Sequence, residues 1–428
     1  MQIRITTKPR AIIQQASQGD PQPGRNITKF LGDKPISPNV FIGREGELES
    51  IHGKLFSGEN VLMLINGEGG IGKTTLAARY YHTYKKDYQH LCWLFTGNSL
   101  QTALLRLAIP LGISFDPKMP ETERIPILFE ALRKLPETCL FILDNANESA
   151  ELEAHYQALM RLPNFHVLIT SRLNKLRELT VYKVKTLSRE KANTLFIKYY
   201  PFLREGEEEK LRAIFTAVGY NTLVIELLAK NLAQLNTLES TYWLEQLLED
   251  LQGRNLLHLS SSEAVDTAYV LERQTPEEII AGMYELLGLS PSKKRLLAIF
   301  SVLPAENIPY TRLKAMLPSI EEEKKDLMAL AEEGWLDFDQ VGRSFKVSPV
   351  VQEVVCKKHE GIGEDCEVLI SGLKNLLTFE AGTGHFTEVS YTEAAIYTLY
   401  GETLLQSLQK NTYKLAALCI NLGVYHSS

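Results

Sequence analysis

Hydrophobic positions in the first half of the chain alternate between short continuous runs and stretches with a helical period. The continuous runs predict buried strands; they cover residues 61–65, 90–95, 139–144, 166–170 and 181–184. The segments between them repeat apolar residues every three or four positions and predict helices, at 99–111, 124–134 and 150–162. Apolar strands that alternate with helices are typical of a parallel sheet covered on both faces. The pattern predicts an α/β domain over residues 39–185, with its ligand at the carboxyl ends of the strands.

The second half of the chain shows mainly the helical period. Residues 186–255 predict a small helical lid domain, and the polar residues 256–275 predict a linker. Residues 276–360 predict three helices, a hairpin that turns at Gly342, and a last helix with Ser348 as its N-cap, which together are typical of a winged-helix domain. The helices are expected at 292–303, 310–317 and 321–333, and the strands at 335–338 and 344–347.

The two ends of the chain have a different character. Residues 1–38 are polar and too few for a core of their own, so we expect an extended arm, with a short strand at 3–5. Residues 361–428 are helical, with small residues among large apolar ones, and predict an α-helical solenoid that begins with tetratricopeptide-like repeats. Because one repeat helix cannot bury its own apolar face, we expect the array to continue past Ser428.

Composition narrows the class of protein. The 428 residues are 44% hydrophobic, which is enough for several packed cores, and the net charge of −6 argues against a constitutive binder of nucleic acid or anionic membranes. The five cysteines include no C-x-x-C pair and the nine histidines no H-x-x-x-H pair, so we expect reduced thiols and no zinc site. No stretch has the length and apolarity of a membrane span. We therefore expect a cytoplasmic protein.

A glycine-rich turn follows the first predicted strand. Residues 67–74 fit G-x-x-x-x-G-K-[ST], the phosphate-binding loop, and a helix-forming stretch comes directly after them. Glycines allow successive backbone N–H groups to surround an anion at a helix N-terminus; here they are Gly67, Gly69, Gly70 and Gly72. Lys73 is expected to reach the phosphates, and the Thr74 hydroxyl to ligate Mg²⁺. An ordinary glycine turn is the alternative, and the flanking strand and helix favour ATP or ADP binding.

Two further strand ends carry candidate chemistry. Asp144 ends an apolar strand, where a P-loop protein holds Mg²⁺, although such an aspartate also serves as a turn or cap residue. Asn145 and Glu148 are candidates for positioning a water molecule, and Glu148 is equally the acidic start of a helix. Arg172 follows the next strand and is expected to sense a γ-phosphate through its guanidinium; a solvated arginine is the alternative.

The winged-helix prediction raises the question of DNA binding. Its third helix, at 321–333, carries six acidic residues against two lysines. An acidic helix repels phosphates in a groove, so nucleic acid is an unfavourable partner and a protein contact is favoured.

Several motifs occur in a recognisable order. The sequence Phe-Ile-Gly-Arg-Glu at 41–45 precedes the glycine-rich loop, and Leu-Asp-Asn at 143–145 and Thr-Ser-Arg at 170–172 follow it. Over residues 38–360 the chain resembles the STAND class of P-loop NTPases, with an NB-ARC-type core like that of plant immune receptors, apoptosome proteins and bacterial tetratricopeptide-repeat relatives.

This resemblance implies a molecular switch with, at most, slow ATPase activity. ADP is expected to hold a closed monomer; a ligand or protein sensed by the C-terminal repeats, with ATP, is expected to open it and cause self-association, as in antiviral defence or programmed cell death. The alternative is an ATP-controlled transcription regulator of the same class. An autonomous ATPase or kinase is a third reading that no further motif supports. The residues assigned to nucleotide by resemblance are Phe41, Ile42, Arg44, Gly67, Gly69, Gly70, Ile71, Gly72, Lys73, Thr74, Thr75, Arg172, Thr222, Leu223 and Ser348, with Thr74 and Asp144 for Mg²⁺, and Lys73, Asp144 and Arg172 for any hydrolysis.

Three positions depart from the family pattern. Thr222 stands where the lid usually has a proline, and Ser348 stands where the winged helix usually supplies a histidine to the ADP phosphate. Asn145 stands where a second aspartate is common. These departures predict a differently built ADP lock and slow hydrolysis.

Overall fold

The computed structural model describes the greater part of the chain. Described are residues 28–38, 40–58, 62–97, 99–116, 118–135, 138–177, 179–236, 244–246, 275–286, 288–380, 385–408, 418 and 421–422. The predicted strand at 3–5, most of the predicted linker and most of the last predicted helix lie outside these residues.

A five-stranded parallel sheet forms the first half of the chain. Its order is β2-β3-β4-β1-β5, with β1 Leu62–Asn66, β2 His90–Phe95, β3 Cys139–Asp144, β4 Phe165–Ser171 and β5 Thr180–Lys183. Because β4 lies between β1 and β3, the ends of these three strands meet at one edge of the sheet. The predicted α/β fold class is confirmed.

Helices cover both faces of this sheet and bury two separate apolar clusters. They are Glu45–Phe56 (α1), Lys73–Tyr84 (α2), Leu100–Leu105 (α3), Glu121–Arg133 (α4) and Ser149–Met160 (α5). Alternate residues of each central strand enter opposite clusters, which explains the continuous apolar runs of the sequence. The helix predicted at 99–111 is shorter than expected, since α3 ends at Leu105 and a 3₁₀ turn continues to Ala108.

A short piece of the N-terminal arm is ordered against the sheet. Phe30 bridges to Leu91 at the β2 edge, and Leu31 is buried. Arg106 then joins the arm to a later part of the chain, because its guanidinium pairs with Asp33 at 3.3 Å and with Glu306 at 3.0 Å.

The lid contains the helices Arg189–Tyr199 (α6), Glu208–Ala217 (α7) and Thr222–Leu235 (α8). Ser188 caps α6 and Asn221 caps α8 through their side-chain oxygens, as these residue types commonly do at N-caps. The lid shares one apolar cluster with the rest of the C-terminal half, so it packs with that half rather than with the sheet core.

Residues 276–360 form a third unit. It contains the helices Pro276–Leu286 (α9), Pro291–Ser301 (α10), Tyr310–Met316 (α11), Lys324–Glu332 (α12) and Pro349–Lys358 (α13), and the antiparallel strands Ile308–Pro309 (β6), Leu336–Asp339 (β7) and Ser344–Val347 (β8). The strand β6 adds a third member to the predicted hairpin. Ser348 caps α13 as predicted, accepting from the Val351 N–H. The winged-helix interpretation of this unit stays a prediction.

Some acidic residues of the stretch 321–333 form ion pairs within this unit. Glu323 pairs with Arg295, and Glu333, which is buried, pairs with Lys293. Part of the negative charge counted from the sequence is therefore neutralised inside the unit, which weakens the charge argument against nucleic acid.

The C-terminal region is not purely helical. Its helices are Ile362–Asp365 (α14), Glu367–Leu376 (α15) and Tyr391–Ser407 (α16), and between the last two lies an unpredicted hairpin of Phe379–Glu380 (β9) and His385–Phe386 (β10). The mixture of small and large residues has the expected role at Gly401, where a Cβ would meet Leu422 at 3.3 Å. None of the helices in the described ranges is both long and apolar enough to cross a membrane.

Gly372 allows α15 to pack closely on the end of α11, because a Cβ there would overlap with the carbonyl oxygen of Met316. We expect Gly372→Ala to lower the free energy of unfolding by about 1 to 3 kcal/mol, since the backbone must shift to make room. Gly363→Ala is the matched control: this helical glycine has open space around it, so alanine should be neutral or slightly stabilising. Thermal unfolding measures both, and equal midpoints would contradict the packing role of Gly372.

Candidate nucleotide-binding site

The glycine-rich loop connects β1 to the N-terminus of α2. Gly70 and Gly72 have φ angles of +72° and +102°, which explains why glycine is needed at these two turns. A Cβ at Gly70 would also lie 2.8 Å from Asn221 Oδ1 of the lid. The loop is thus an open cradle of backbone N–H groups at a helix N-terminus, which is a suitable receptor for phosphate.

Asp144 is the buried centre of the site. Its carboxylate is 1% exposed and accepts hydrogen bonds at 2.7 Å from the hydroxyls of Thr74 and Thr170. A threonine hydroxyl beside a carboxylate is an oxygen donor set that suits Mg²⁺. The two residues predicted for Mg²⁺, Thr74 and Asp144, are therefore in contact. Thr170, which was not predicted as a site residue, holds the carboxylate through the second hydrogen bond.

Lys73 curls back over the loop and donates to the carbonyl oxygens of Gly67 at 2.7 Å and Glu68 at 2.9 Å. Burial, together with the nearby Arg172 guanidinium, lowers the pKa of Lys73 to about 8, while Asp144 and Glu68 act in the opposite direction. Lys73 and Arg172 are therefore two cations that repel each other in a partly buried place. Such an environment favours the binding of a polyanion such as a nucleotide phosphate.

The lid contacts the loop through its first turn. Buried Asn221 donates from Nδ2 to the Gly69 carbonyl at 2.8 Å, and the Leu223 N–H donates to the Gly70 carbonyl at 3.0 Å. Thr222 donates to the Ile71 carbonyl at 3.2 Å. Three consecutive lid residues thus hold three consecutive loop residues, so the position of the lid helix is fixed by the loop.

Arg44 supports the loop beside Thr222, since both donate to the Ile71 carbonyl. It is 5% exposed, pairs with Glu47 at 3.2 Å and donates from Nη2 to the Ile71 carbonyl at 2.7 Å. This geometry makes Arg44 a residue that shapes the loop.

The third unit also reaches the site. From β8, the Lys346 ammonium lies 3.5 Å from Asp144 Oδ2, and from α13 the Glu353 carboxylate lies 3.5 Å from Arg172 Nη1. Neither residue is a candidate of the sequence pattern. For Lys346, the available signal is its position between Phe345 and Val347 in a short predicted strand.

Two adjoining cavities of about 310 and about 150 Å³ lie where the sheet domain, the lid and the third unit meet. The smaller surrounds the loop; its lining includes Gly69, Gly70, Gly72, Lys73, Thr74, Thr75, Asn145, Arg172, Thr222, Leu223 and Ser348. The larger is partly apolar and includes Val40, Ala78, Trp93, Met328 and Phe338. The smaller cavity offers charged groups for phosphates, and the larger one adds mixed polar and apolar space beside it for the rest of a nucleotide.

Some candidate residues lie apart from these cavities. Phe41 packs under the Arg79 guanidinium, 5.4 Å from its ring centroid, and Ile42 packs against the C-terminal apolar cluster. Neither lines the two cavities at the loop, whereas their neighbour Val40 lines the larger one. Glu148 is exposed and directly precedes α5. This position agrees with the alternative interpretation, in which Glu148 is the acidic start of a helix. No group of three or more His, Cys, Asp or Glu side chains among the described residues is arranged to hold a metal ion.

Residues 44–201 match the family model of the NB-ARC domain. No curated protein sequence matches the chain. Among solved structures, the chain is similar to a STAND protein with a tetratricopeptide repeat sensor from Pyrococcus horikoshii, with a TM-score of 0.55 and 17% identity over 87% of this chain. The chain spans about half of that protein, 49% of its length. At this identity the likeness shows a shared fold.

Two origin-recognition proteins from Aeropyrum pernix are more distant. ORC2, solved in ADPNP–ADP complexes, gives a TM-score of 0.37 at 16% identity, covering 78% of this chain and 97% of that one. ORC1, solved in complex with DNA, gives 0.31 at 15%, covering 75% and 94%. Because both TM-scores are below 0.5, neither likeness bears on the function of this chain.

Asn221 links lid and loop, and we expect Asn221→Asp to weaken ADP binding. Aspartate keeps the acceptor that caps α8 but cannot donate to the Gly69 carbonyl, and it places a buried negative charge beside the phosphate cradle. A loss of about 1 to 3 kcal/mol corresponds to a loss of about 5-fold to 150-fold in affinity, measured by calorimetry. Asn375→Asp is the control, since Asn375 is an exposed asparagine of α15, away from the loop. Unchanged ADP affinity in Asn221→Asp would contradict the proposed link.

Proposed function

We propose that this chain, which contains an NB-ARC domain and has the fold of a STAND-class P-loop NTPase, is a nucleotide-controlled molecular switch. ADP would favour the docked arrangement of the three units, and exchange for ATP would favour their separation.

One observation carries this proposal. The cavities at the loop are lined by the sheet domain, the lid and the third unit together, with Thr74, Glu226 and Lys346 each shared by both cavities. A nucleotide bound there touches all three units, so its affinity depends on how they are docked. By linkage, the nucleotide must shift the docking equilibrium by its difference in affinity for the two states.

The finer features of the switch follow from the resemblance. A ligand or protein partner would be sensed by repeats that begin in the C-terminal region, and the opened chain would self-associate in a signalling role such as antiviral defence or programmed cell death. The tetratricopeptide repeat sensor in the name of the Pyrococcus horikoshii protein supports this proposal. We expect the protein to act in the cytoplasm.

Hydrolysis would be slow and would serve to reset the switch. Lys73 would hold the phosphates, Thr74 and Asp144 would hold Mg²⁺, and Arg172 would contact the terminal phosphate. When bound, Mg²⁺ would supply positive charge that neutralises the phosphates. Asn145 lines the cavity but is a weaker base than a carboxylate, so we expect no rapid unstimulated turnover.

Lys73→Ala should abolish nucleotide binding, because it removes the loop cation without disturbing a packed core. We expect wild-type protein purified from its natural host to release ADP on denaturation, detected by chromatography, and the variant to release none. Lys85→Ala, at an exposed lysine just after the same helix, should retain the wild-type content. If the wild-type protein yields no nucleotide and calorimetry detects no ADP binding, the proposal fails.

Self-association should depend on the nucleotide. We expect mass photometry to find monomers with ADP, and larger assemblies with a non-hydrolysable ATP analogue once the trigger is present. Larger assemblies with ADP alone, or fast turnover without a trigger, would contradict the switch. Salt-dependent binding to DNA under the same conditions would favour the transcription-regulator alternative.

A further inference from the structure

The third unit places one cation and one anion against the two oppositely charged residues of the site. Lys346 lies on β8, whose four residues are all buried, and its side chain is 11% exposed. Its ammonium faces Asp144, from which it is separated by 202 positions in the chain. Asp337 stands opposite Lys346 in the strand pairing, yet the ammonium forms its ion pair across the domain boundary.

Asp144 has two oxygens with different partners. Oδ1 accepts from the hydroxyls of Thr74 and Thr170, and Oδ2 faces Lys346. A buried carboxylate with only neutral donors remains an uncompensated charge, which is costly in a protein interior. Lys73 is also close enough to interact with Asp144, but it donates its hydrogen bonds to loop carbonyls. Lys346 therefore supplies the ammonium that pairs with the carboxylate when the third unit is docked.

Arg172 has the complementary partner. Glu353 on α13 lies 3.5 Å from its guanidinium, with side chains 39% and 37% exposed, and also pairs with Lys357 at 2.7 Å. This contact is weaker than the one at Asp144 because solvent screens it. The Glu353 carboxylate is nevertheless opposite in charge to the Lys346 ammonium. The terminal phosphate of a nucleotide is opposite in charge to its metal ion in the same way.

We infer that Lys346 and Glu353 make the docked third unit a charge mimic of magnesium and the terminal phosphate. Lys346 replaces Mg²⁺ at Asp144, and Glu353 engages the arginine that would contact a triphosphate. The docked site then takes a nucleoside diphosphate without a metal and disfavours the magnesium triphosphate, which competes for both contacts. This inference rests on the proposed nucleotide switch and names the residues that set its preference.

The chemistry of a lysine suits this role. An ammonium is a compact charge on a flexible stem, so it can serve a buried carboxylate from another unit and be withdrawn with that unit. A residue that merely bound phosphate would raise the affinity for every nucleotide alike. A residue that replaces the metal makes diphosphate affinity independent of the metal, and this difference is measurable.

Calorimetry of ADP with nucleotide-depleted full-length protein, in EDTA and in Mg²⁺, tests the inference. We expect nearly equal affinities for the wild type, and about tenfold weaker binding in EDTA than in Mg²⁺ for Lys346→Met, a coupling of ordinary size. Lys346→Arg, which keeps the charge, and Lys325→Met, at an exposed lysine of the same unit, should both behave like the wild type.

Glu353→Gln is a second variant, at a partly exposed side chain whose replacement leaves the apolar core unchanged. It should raise the affinity for a non-hydrolysable ATP analogue in Mg²⁺ about threefold relative to ADP, because Arg172 loses a competing carboxylate.

The outcomes separate the two proposals. Strongly metal-dependent ADP binding by the wild type would overturn the mimic, and so would equal loss of affinity with and without metal in Lys346→Met. An unchanged preference in Glu353→Gln would overturn the role of Glu353. In each of these cases the wild type binds nucleotide, so the switch proposal stands; absence of any nucleotide binding in the wild type overturns both.

Discussion

The arrangement of this protein depends on one buried carboxylate. Asp144 is enclosed at the end of a central strand, where a charge is tolerated only with partners of the right sign and geometry. Those partners come from the phosphate loop, from the neighbouring strand and from a unit 202 residues away. The same requirement that makes Asp144 fit for Mg²⁺ therefore also makes it a docking point for the third unit. The same side chain thus serves both the binding site and the docking of the third unit.

The sequence predicted the strands β1 to β4 well because they are buried on both faces, whereas the edge strand β5 is partly exposed. The bounds of β2 and β3 agree with the apolar runs to the residue, those of β8 agree with the predicted hairpin strand, and the phosphate loop followed from its glycines. The hairpin β9–β10 was not predicted and the helix α3 was predicted too long, since a few residues with mixed composition carry no clear period. Helix capping by Ser348 was predicted because an N-cap is a local property.

The contacts between units could not be read in the same way. Lys346 and Asn221 act on partners more than 150 positions away, and nothing in their neighbours along the chain names those partners. Charge counting also failed at Glu333, which looks like a surface residue of an acidic helix but is buried against Lys293. Pairing across a fold removes charge that composition counts as free. The resemblance to a family supplied the order of the units, and the structure supplied which residues join them.

The contact of Arg106 with Asp33 and Glu306 has a thermodynamic consequence for any switch built on this fold. Arg106 lies near the β2 edge of the sheet, while the nucleotide loop follows β1, three strands away. The third unit is thus held by Arg106 as well as at the nucleotide loop, and Arg106 does not line the two cavities proposed for the nucleotide. In a switch of the proposed kind, the free energy of the Arg106 contacts would remain to be overcome after nucleotide exchange. A trigger that supplied this remainder would make opening depend on two signals together.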